Sequence, residues 1–168
     1  MPKKTQDEKK LEWCLNKAKR EIKETGSHRG LVKINPNSDV AKQFLQKAEH
    51  NLKVFLDNKK LGNLDWCISM GFYSMYHCCL SILAKYGYES RNQECTLAAI
   101  RVLVEDKKIP ETFVEFIDSI KKTEKEGEIL SMREKYQYSP NIDIDKYTVE
   151  NLEAMCKTMI TETRGILI

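Results

Sequence analysis

Glycine and proline are scarce in this chain of 168 residues, with 7 glycines and 4 prolines. This scarcity, together with 41% apolar and 32% charged residues, excludes collagen-like, low-complexity and wholly disordered proteins. The formal net charge is only +3, so the chain lacks the strongly basic character typical of a whole-chain nucleic-acid binder. A chain of this length usually forms one domain that buries roughly 70% of its unfolded surface. It therefore needs neither disulfides nor a metal to hold it together.

The chain has six cysteines but no CxxC pair. Four of them fall on apolar helical faces, where a free thiol behaves as a small hydrophobic group: Cys67, Cys78, Cys79 and Cys156. The first residues are charged and form no apolar run, so we expect no signal peptide. Both observations predict a reducing, cytoplasmic location.

Motifs for the common cofactors and catalytic centres are also missing. The sequence has no GxxxxGK[ST], GxGxxG, GxSxG or HExxH motif, and no ExxH of the kind that holds di-iron in helical bundles. His77, Cys78 and Cys79 are adjacent, but neighbours on a helix point about 100° apart and cannot converge on one ion. We expect no metal and no cofactor.

One stretch is long and uncharged enough to resemble a membrane span. Residues 66–84 contain no Asp, Glu, Lys or Arg, and a bilayer helix needs about twenty mostly apolar residues. The stretch also carries Ser, His and Tyr, and the rest of the chain is amphipathic. We therefore predict a central helix that protein surrounds on nearly all sides, with no membrane.

Apolar residues recur at helical spacing along most of the chain, and no strand alternation of useful length is present. The predicted helices cover about residues 6–24, 39–60, 64–86, 93–106, 110–127, 130–136 and 145–163. Thr5 and Glu8 predict a capping box at the first helix. The fold class is all-α, an up-and-down four-helix bundle with short extra helices and an added N-terminal helix.

Charge divides the chain into two predicted parts. Residues 1–36 carry ten Lys or Arg and five Asp or Glu, a net charge of +5, whereas the remainder is slightly acidic. We predict a basic N-terminal helix and loop over residues 1–37 and a helical bundle over 38–168. The basic residues of the first helix have two interpretations: a face that touches RNA, or a solvated face whose interleaved acids pair with them at i, i+4 spacing.

A polar turn over residues 89–95 separates two apolar helices. Arg91 lies where the next helix begins, and Asn92 is a plausible N-cap. A guanidinium beside the free N–H groups of a helix start suits a phosphate. The alternative is an ordinary turn in which Arg91 pairs with nearby carboxylates.

Several segments, in this order and spacing, resemble the HEPN domain family. Residues 65–77 resemble its aromatic second-helix signature, and residues 83–96 resemble the helix end, glycine, aromatic and polar stretch that follow. Residues 41–56 match its first helix, and Arg133 with Tyr136 and Tyr138 resembles a polar patch before its last helix. The resemblance covers about residues 38–163.

The resemblance implies a four-helix core, a homodimer, and a partnership with a small nucleotidyltransferase in a toxin–antitoxin-like pair. Active members of the family are metal-independent ribonucleases that use an Arg followed after four to six residues by His. Here those places hold Cys95, Thr96 and Leu97, and Gln93 stands where His is common. Since glutamine does not titrate, it cannot take the proton of a 2′-hydroxyl as His does.

Two side chains are candidates to replace the missing base. Glu94 would need a raised pKa, and His77 lies on the uncharged helix, where it is also a candidate core residue. Tyr73 and Tyr76 share one helix face and either line a cleft or pack in the bundle. The expected ligand- or anion-binding residues are Arg91, Asn92, Gln93, Arg133, Tyr73, Tyr76 and Tyr138.

We therefore predict a helical module that binds nucleotide or RNA phosphate without efficient catalysis. One alternative is a metal-independent ribonuclease that uses Arg91 with a substitute base. Another is a structural homodimer with no ligand.

Overall fold

The computed structural model describes residues 3–121, 133–134, 137–138, 140 and 143–168, with the backbone alone at 120 and 121. Within these residues the elements are α1 (Gln6–Thr25), β1 (Leu31–Lys33), α2 (Ser38–Leu61), α3 (Leu64–Lys85), β2 (Tyr88–Ser90), α4 (Gln93–Glu105), α5 (Thr112–Lys121) and α6 (Lys146–Leu167). The all-α bundle class is confirmed. Of the helix predicted over 130–136 the structure describes only residues 133–134, which are helical, and the end of the helix predicted to reach 127 lies outside the described residues.

The helix boundaries follow from capping chemistry. Thr5 accepts from the backbone N–H of Glu8, whose carboxylate accepts from the N–H of Thr5, so the predicted capping box is present. Asn92 accepts from the N–H of Cys95 and caps α4, as expected. The second helix begins one residue earlier than predicted, because Asn37 caps it by accepting from the N–H of Val40.

Helices α2 and α3 form the antiparallel hairpin that the short link between them predicts. Two buried serines of α3 join the helices. Ser74 donates to the carbonyl of Ala48 at 2.9 Å, and Ser81 donates to the carbonyl of Ala41 at 2.7 Å. These bonds explain why small hydroxyl residues occur in an otherwise apolar helix: each hydroxyl finds a partner on α2.

Helix α6 closes the bundle over α3 through a close approach at Gly71. A Cβ atom at Gly71 would lie only 2.6 Å from Cδ2 of Leu152. Cys156 of α6 lies 3.5 Å from the Gly71 carbonyl through its Sγ. The glycine therefore sets how tightly these two helices pack.

The uncharged helix is the core helix of the bundle. Helix α3 passes the length and composition test for a membrane span, yet 72% of its most apolar window is buried by protein. The sequence prediction of a central, protein-covered helix is thus confirmed.

Two short strands are present where the sequence predicted none. β1 pairs antiparallel with β2, with Leu31 opposite Ser90 and Lys33 opposite Tyr88. The N–H of Arg91 continues the pairing by donating to the Gly30 carbonyl at 2.8 Å. Strands of three residues are too short to show alternation, and their partner is distant in the chain, so no local pattern reveals them.

The N-terminal segment packs onto the body of the bundle. Leu11, Cys14 and Ala18 of α1 are buried, as their predicted apolar stripe requires, whereas Ile22 at its end is 42% exposed. A disulfide joins Cys14 to Cys95 in the first turn of α4. The sequence analysis expected no disulfide, because the chain is large enough to fold without one and the missing CxxC pair and signal peptide indicated a reducing compartment. The predicted boundary at residue 37 stays a prediction.

Candidate anion-binding site

Arg91 lies in the turn between β2 and α4, held there by the strand pairing on one side and the Asn92 cap on the other. Its side chain is 58% exposed and pairs with the Glu89 carboxylate, with 3.0 Å from Nη2 to Oε1. A half-exposed pair of this kind contributes about 0–1 kcal/mol. An incoming anion can therefore displace Glu89 from the guanidinium at small cost.

His28 is a neighbour of Arg91 that sequence reasoning missed. It lies between α1 and β1, is 8% exposed, and donates through Nε2 to Oε1 of Glu89 at 3.2 Å. Its backbone carbonyl is 3.5 Å from Nη1 of Arg91, and its buried Nδ1 meets no hydrogen-bond partner in the described part of the chain. The strand pairing brings His28 here from 63 positions away in the chain. No spacing along the sequence could have signalled this contact.

A network of hydroxyl groups fixes the turn beneath Arg91. Ser90 donates to the Asn92 carbonyl at 3.1 Å, and Thr96 lies 2.7 Å from Ser90 through their hydroxyl oxygens. Tyr76 of α3 reaches the same network, with 3.2 Å between its hydroxyl and that of Thr96. Burial raises the pKa of Tyr76. This tyrosine therefore supports the turn as a neutral hydroxyl and belongs to the packed interior.

The first turn of α4 carries the other two candidates near Arg91. Gln93 is the first residue of the helix and is partly exposed. Glu94 is exposed and pairs with Lys10 of α1 at 3.0 Å. This pair joins the first turn of α4 to α1, which favours a structural contact between helices over a role as general base.

Arg133 and Tyr73 form a second patch. The Arg133 guanidinium lies over the Phe72 ring at 4.6 Å and over the Tyr73 ring at 5.8 Å. Its Nη1 donates to the Tyr73 hydroxyl at 3.4 Å, and its buried Nε has no hydrogen-bond partner among the residues that the structure describes. The Phe72 and Tyr73 rings thus cover part of the Arg133 guanidinium.

The expected ligand residues fall into these two patches and not into one. Among the described residues no direct hydrogen bond or ion pair joins the side chains around Arg91 to Arg133 or Tyr73. Tyr76 connects the two patches indirectly. Its hydroxyl contacts Thr96 beneath Arg91, and its ring stacks on Phe72, beside Arg133, with ring centroids 5.9 Å apart. Tyr138 is 79% exposed, and Tyr136 lies outside the described residues.

His77 is held inside the bundle by its own helix. Nδ1 lies 2.7 Å from the Tyr73 carbonyl, and since a carbonyl only accepts, Nδ1 carries the ring hydrogen. Its ring stacks on Phe44 with centroids 6.1 Å apart. Burial lowers the pKa of His77, and nearby Lys47 lowers it further, against the opposing bond to Tyr73. No contact links His77 to Arg91 in the part of the chain that the structure describes.

Comparison with known families gives one match. The HEPN domain model matches residues 41–164, which is most of the chain. The chain belongs to the HEPN family. No protein of curated function matches it.

Membership of the HEPN family confirms the resemblance and the fold, and it agrees with a nucleotide- or RNA-related module. The matched range starts within α2, so α1, β1 and His28 precede it. The side chains nearest Arg91 are therefore partly supplied by a segment outside the matched domain. The described residues hold no group of three or more His, Cys, Asp or Glu suited to a metal ion.

Proposed function

We propose that this HEPN protein is a binding module for nucleotide or RNA phosphate, with Arg91 as the principal anion contact. The observation that carries the proposal is an exposed guanidinium at the start of α4, held by strand pairing and by the Asn92 cap. The start of a helix favours negative charge, so the dipole of α4 adds to the charge of Arg91. Gln93 contributes hydrogen bonding but no titratable group, which favours binding over turnover.

Binding of a single-stranded RNA by wild type and by Arg91→Ala tests this function. We expect the substitution to weaken binding roughly tenfold and to reduce the dependence of affinity on salt by about one phosphate contact. Arg164→Ala is the matched control, because Arg164 is 56% exposed and also pairs with a glutamate on another helix, Glu49. Equal losses in the two variants would refute a specific role for Arg91.

A metal-independent ribonuclease is the second candidate, and one observation favours it. The structure places a histidine, His28, on the carboxylate that pairs with Arg91. This histidine is a third candidate base beside His77 and Glu94, although its 8% exposure requires movement before it could reach an RNA hydroxyl. Cleavage of RNA in EDTA that is lost in both Arg91→Ala and His28→Gln would establish this alternative.

The proposed setting is a homodimer in the cytoplasm, paired with a nucleotidyltransferase-type protein in a toxin–antitoxin-like system. Family membership supports the pairing. The four buried free thiols agree with a reducing compartment, whereas the Cys14–Cys95 disulfide is typical of an oxidising one, so the compartment needs its own test. Light scattering on the purified protein tests the dimer. Alkylation in denaturant, immediately after acid quenching of the cells, tests the compartment, because unfolding exposes the buried thiols: six alkylated cysteines are expected if it is reducing, and four if Cys14 and Cys95 are bonded. A structural homodimer without ligand is the outcome if no phosphate compound binds.

A further inference from the structure

A groove of about 390 Å³ opens directly beside Arg91. The first turns of α2, the last turns of α3 and the residues around β2 form its walls. Leu80 and Ala84 form its buried floor, whereas Val40, Phe44 and Tyr88 are half-buried and Ile34 at its edge is 36% exposed. The apolar residues that line it are Ile34, Val40, Phe44, Leu80, Ala84 and Tyr88.

One end of this groove is polar. Arg91, Glu89 and Asn37 belong to its lining. The side-chain oxygen of Asn37 already accepts from the N–H of Val40, so this amide has N–H groups to offer a ligand. The groove thus combines a cation, an amide donor and a carboxylate acceptor with an apolar floor that carries two aromatic rings.

The size and chemistry of the groove limit what it can hold. Small-molecule sites usually occupy about 300–1,000 Å³ and combine apolar walls with a few polar groups, so this groove suits a ligand at the small end of that range. Inorganic phosphate would satisfy Arg91 alone and leave the apolar floor in water. A planar heteroaromatic ring suits the walls near Phe44 and Tyr88, because bases associate with aromatic side chains.

We propose that the groove binds a nucleoside 5′-monophosphate unit, with the phosphate on Arg91 and the base on the apolar floor. This inference rests on the proposed function and deepens it, since it makes the base and the phosphate contribute together. The unit has two sources, a free mononucleotide or the 5′-phosphorylated end of an RNA. When the phosphate binds, the Glu89 carboxylate leaves Arg91 but keeps the hydrogen bond that it accepts from His28.

Calorimetric titration of the full chain with AMP, ribose 5-phosphate and adenosine tests the inference. We expect AMP to bind about tenfold more tightly than either fragment, because stacking of one base contributes roughly a factor of 5 to 150. If ribose 5-phosphate binds as tightly as AMP, the base site is refuted while phosphate binding at Arg91 stands. If no phosphate compound binds, including a single-stranded RNA, the proposed function itself fails.

Two variants, Val40→Trp and Ile34→Ser, test where the base binds while Arg91 stays unchanged. Val40→Trp fills the groove with a partly exposed side chain and should reduce AMP affinity to that of ribose 5-phosphate, with ribose 5-phosphate unchanged. Ile34→Ser removes an apolar side chain from the wall of the groove and should weaken AMP binding about threefold. Ile22→Ser is the matched control, because Ile22 is 42% exposed and lies away from this groove, and it should leave AMP affinity unchanged. Unaltered AMP binding by Val40→Trp, with the variant folded by circular dichroism, would overturn the inference.

Two cleavage-resistant 2′-O-methyl hexanucleotides distinguish a free mononucleotide from an RNA end as the ligand. They differ only at the 5′ end, which carries a phosphate in one and a hydroxyl in the other. Tighter binding of the 5′-phosphorylated form than of AMP, with weak binding of the 5′-hydroxyl form, supports an RNA end as the ligand. Equal binding of AMP and the 5′-phosphorylated form supports a free mononucleotide. Equal binding of the two hexanucleotides contradicts a site built for a terminal phosphate.

Discussion

His77 shows how one residue's surroundings decide its chemistry. Its ring donates to the Tyr73 carbonyl and stacks on Phe44, so it is a satisfied member of the packed bundle. Burial disfavours the charged ring and lowers its pKa below the ordinary value of 6.5. Of the two interpretations that the sequence left open, these contacts support the core residue.

The lowered pKa of His77 predicts a pH dependence of stability. The unfolded chain binds this proton more readily than the folded chain, so stability is complete above about pH 6.5 and falls as the pH drops below it. We expect urea unfolding of wild type to give a smaller free energy of unfolding at pH 5.5 than at pH 7.5. His77→Gln should reduce this difference. Glu153 and Asp145, whose pKa values are lowered by hydrogen bonds, contribute only at more acidic pH.

His50→Gln is the control for this measurement, because His50 lies exposed on α2. It should keep the wild-type difference between the two pH values. A His77→Gln variant that loses as much stability on acidification as wild type would contradict the assignment.

At the scale of the elements, the contact between α3 and α6 depends on the absence of one side chain. Gly71→Ala places a methyl group against Leu152, whose Cδ2 lies 2.6 Å from the added atom, so one helix or the leucine must shift. Overpacking of this kind typically lowers the free energy of unfolding by about 1–3 kcal/mol, whereas the higher helix propensity of alanine raises it by about 1 kcal/mol. We expect the free energy of unfolding to fall by up to about 2 kcal/mol in a urea titration.

Gly165→Ala is the matched control on α6, because no atom lies within 4 Å of an added Cβ there. Its stability should equal that of wild type or exceed it by up to about 1 kcal/mol. A Gly71→Ala variant as stable as Gly165→Ala would show that α3 and α6 can move apart at Gly71 without loss of stability.

The elements also show what a sequence can and cannot predict here. Helix starts were predictable at Thr5 and Asn92, because capping depends on residues three positions apart. The three-residue strands were not, since β1 is stabilised by β2, far along the chain. His28 reaches Glu89 only through that pairing, so the candidate site was predicted at Arg91 and Asn92 but without its histidine.

At the scale of the whole molecule, one disulfide ties the N-terminal segment to the matched domain. The other four cysteines are buried, and burial raises the pKa of their thiols, that of Cys67 to about 11. Since the thiolate is the reactive form, these four resist oxidation and exchange. Among the six cysteines, Cys14 and Cys95 are thus the pair whose state a change of redox conditions alters.

Reduction of this bond should lower the stability of the whole chain. The bond joins residues 81 positions apart, and the entropy that such a crosslink removes from the unfolded chain corresponds to about 4.5 kcal/mol. We expect wild type treated with a phosphine reductant to unfold at lower urea than the oxidised protein, with two newly alkylated cysteines by mass spectrometry. The double variant Cys14→Ala, Cys95→Ala should resemble reduced wild type and show no response to the reductant. An equal midpoint for oxidised and reduced wild type would mean that the buried face of α1, with Leu11 and Ala18, holds the N-terminal segment in place without the crosslink.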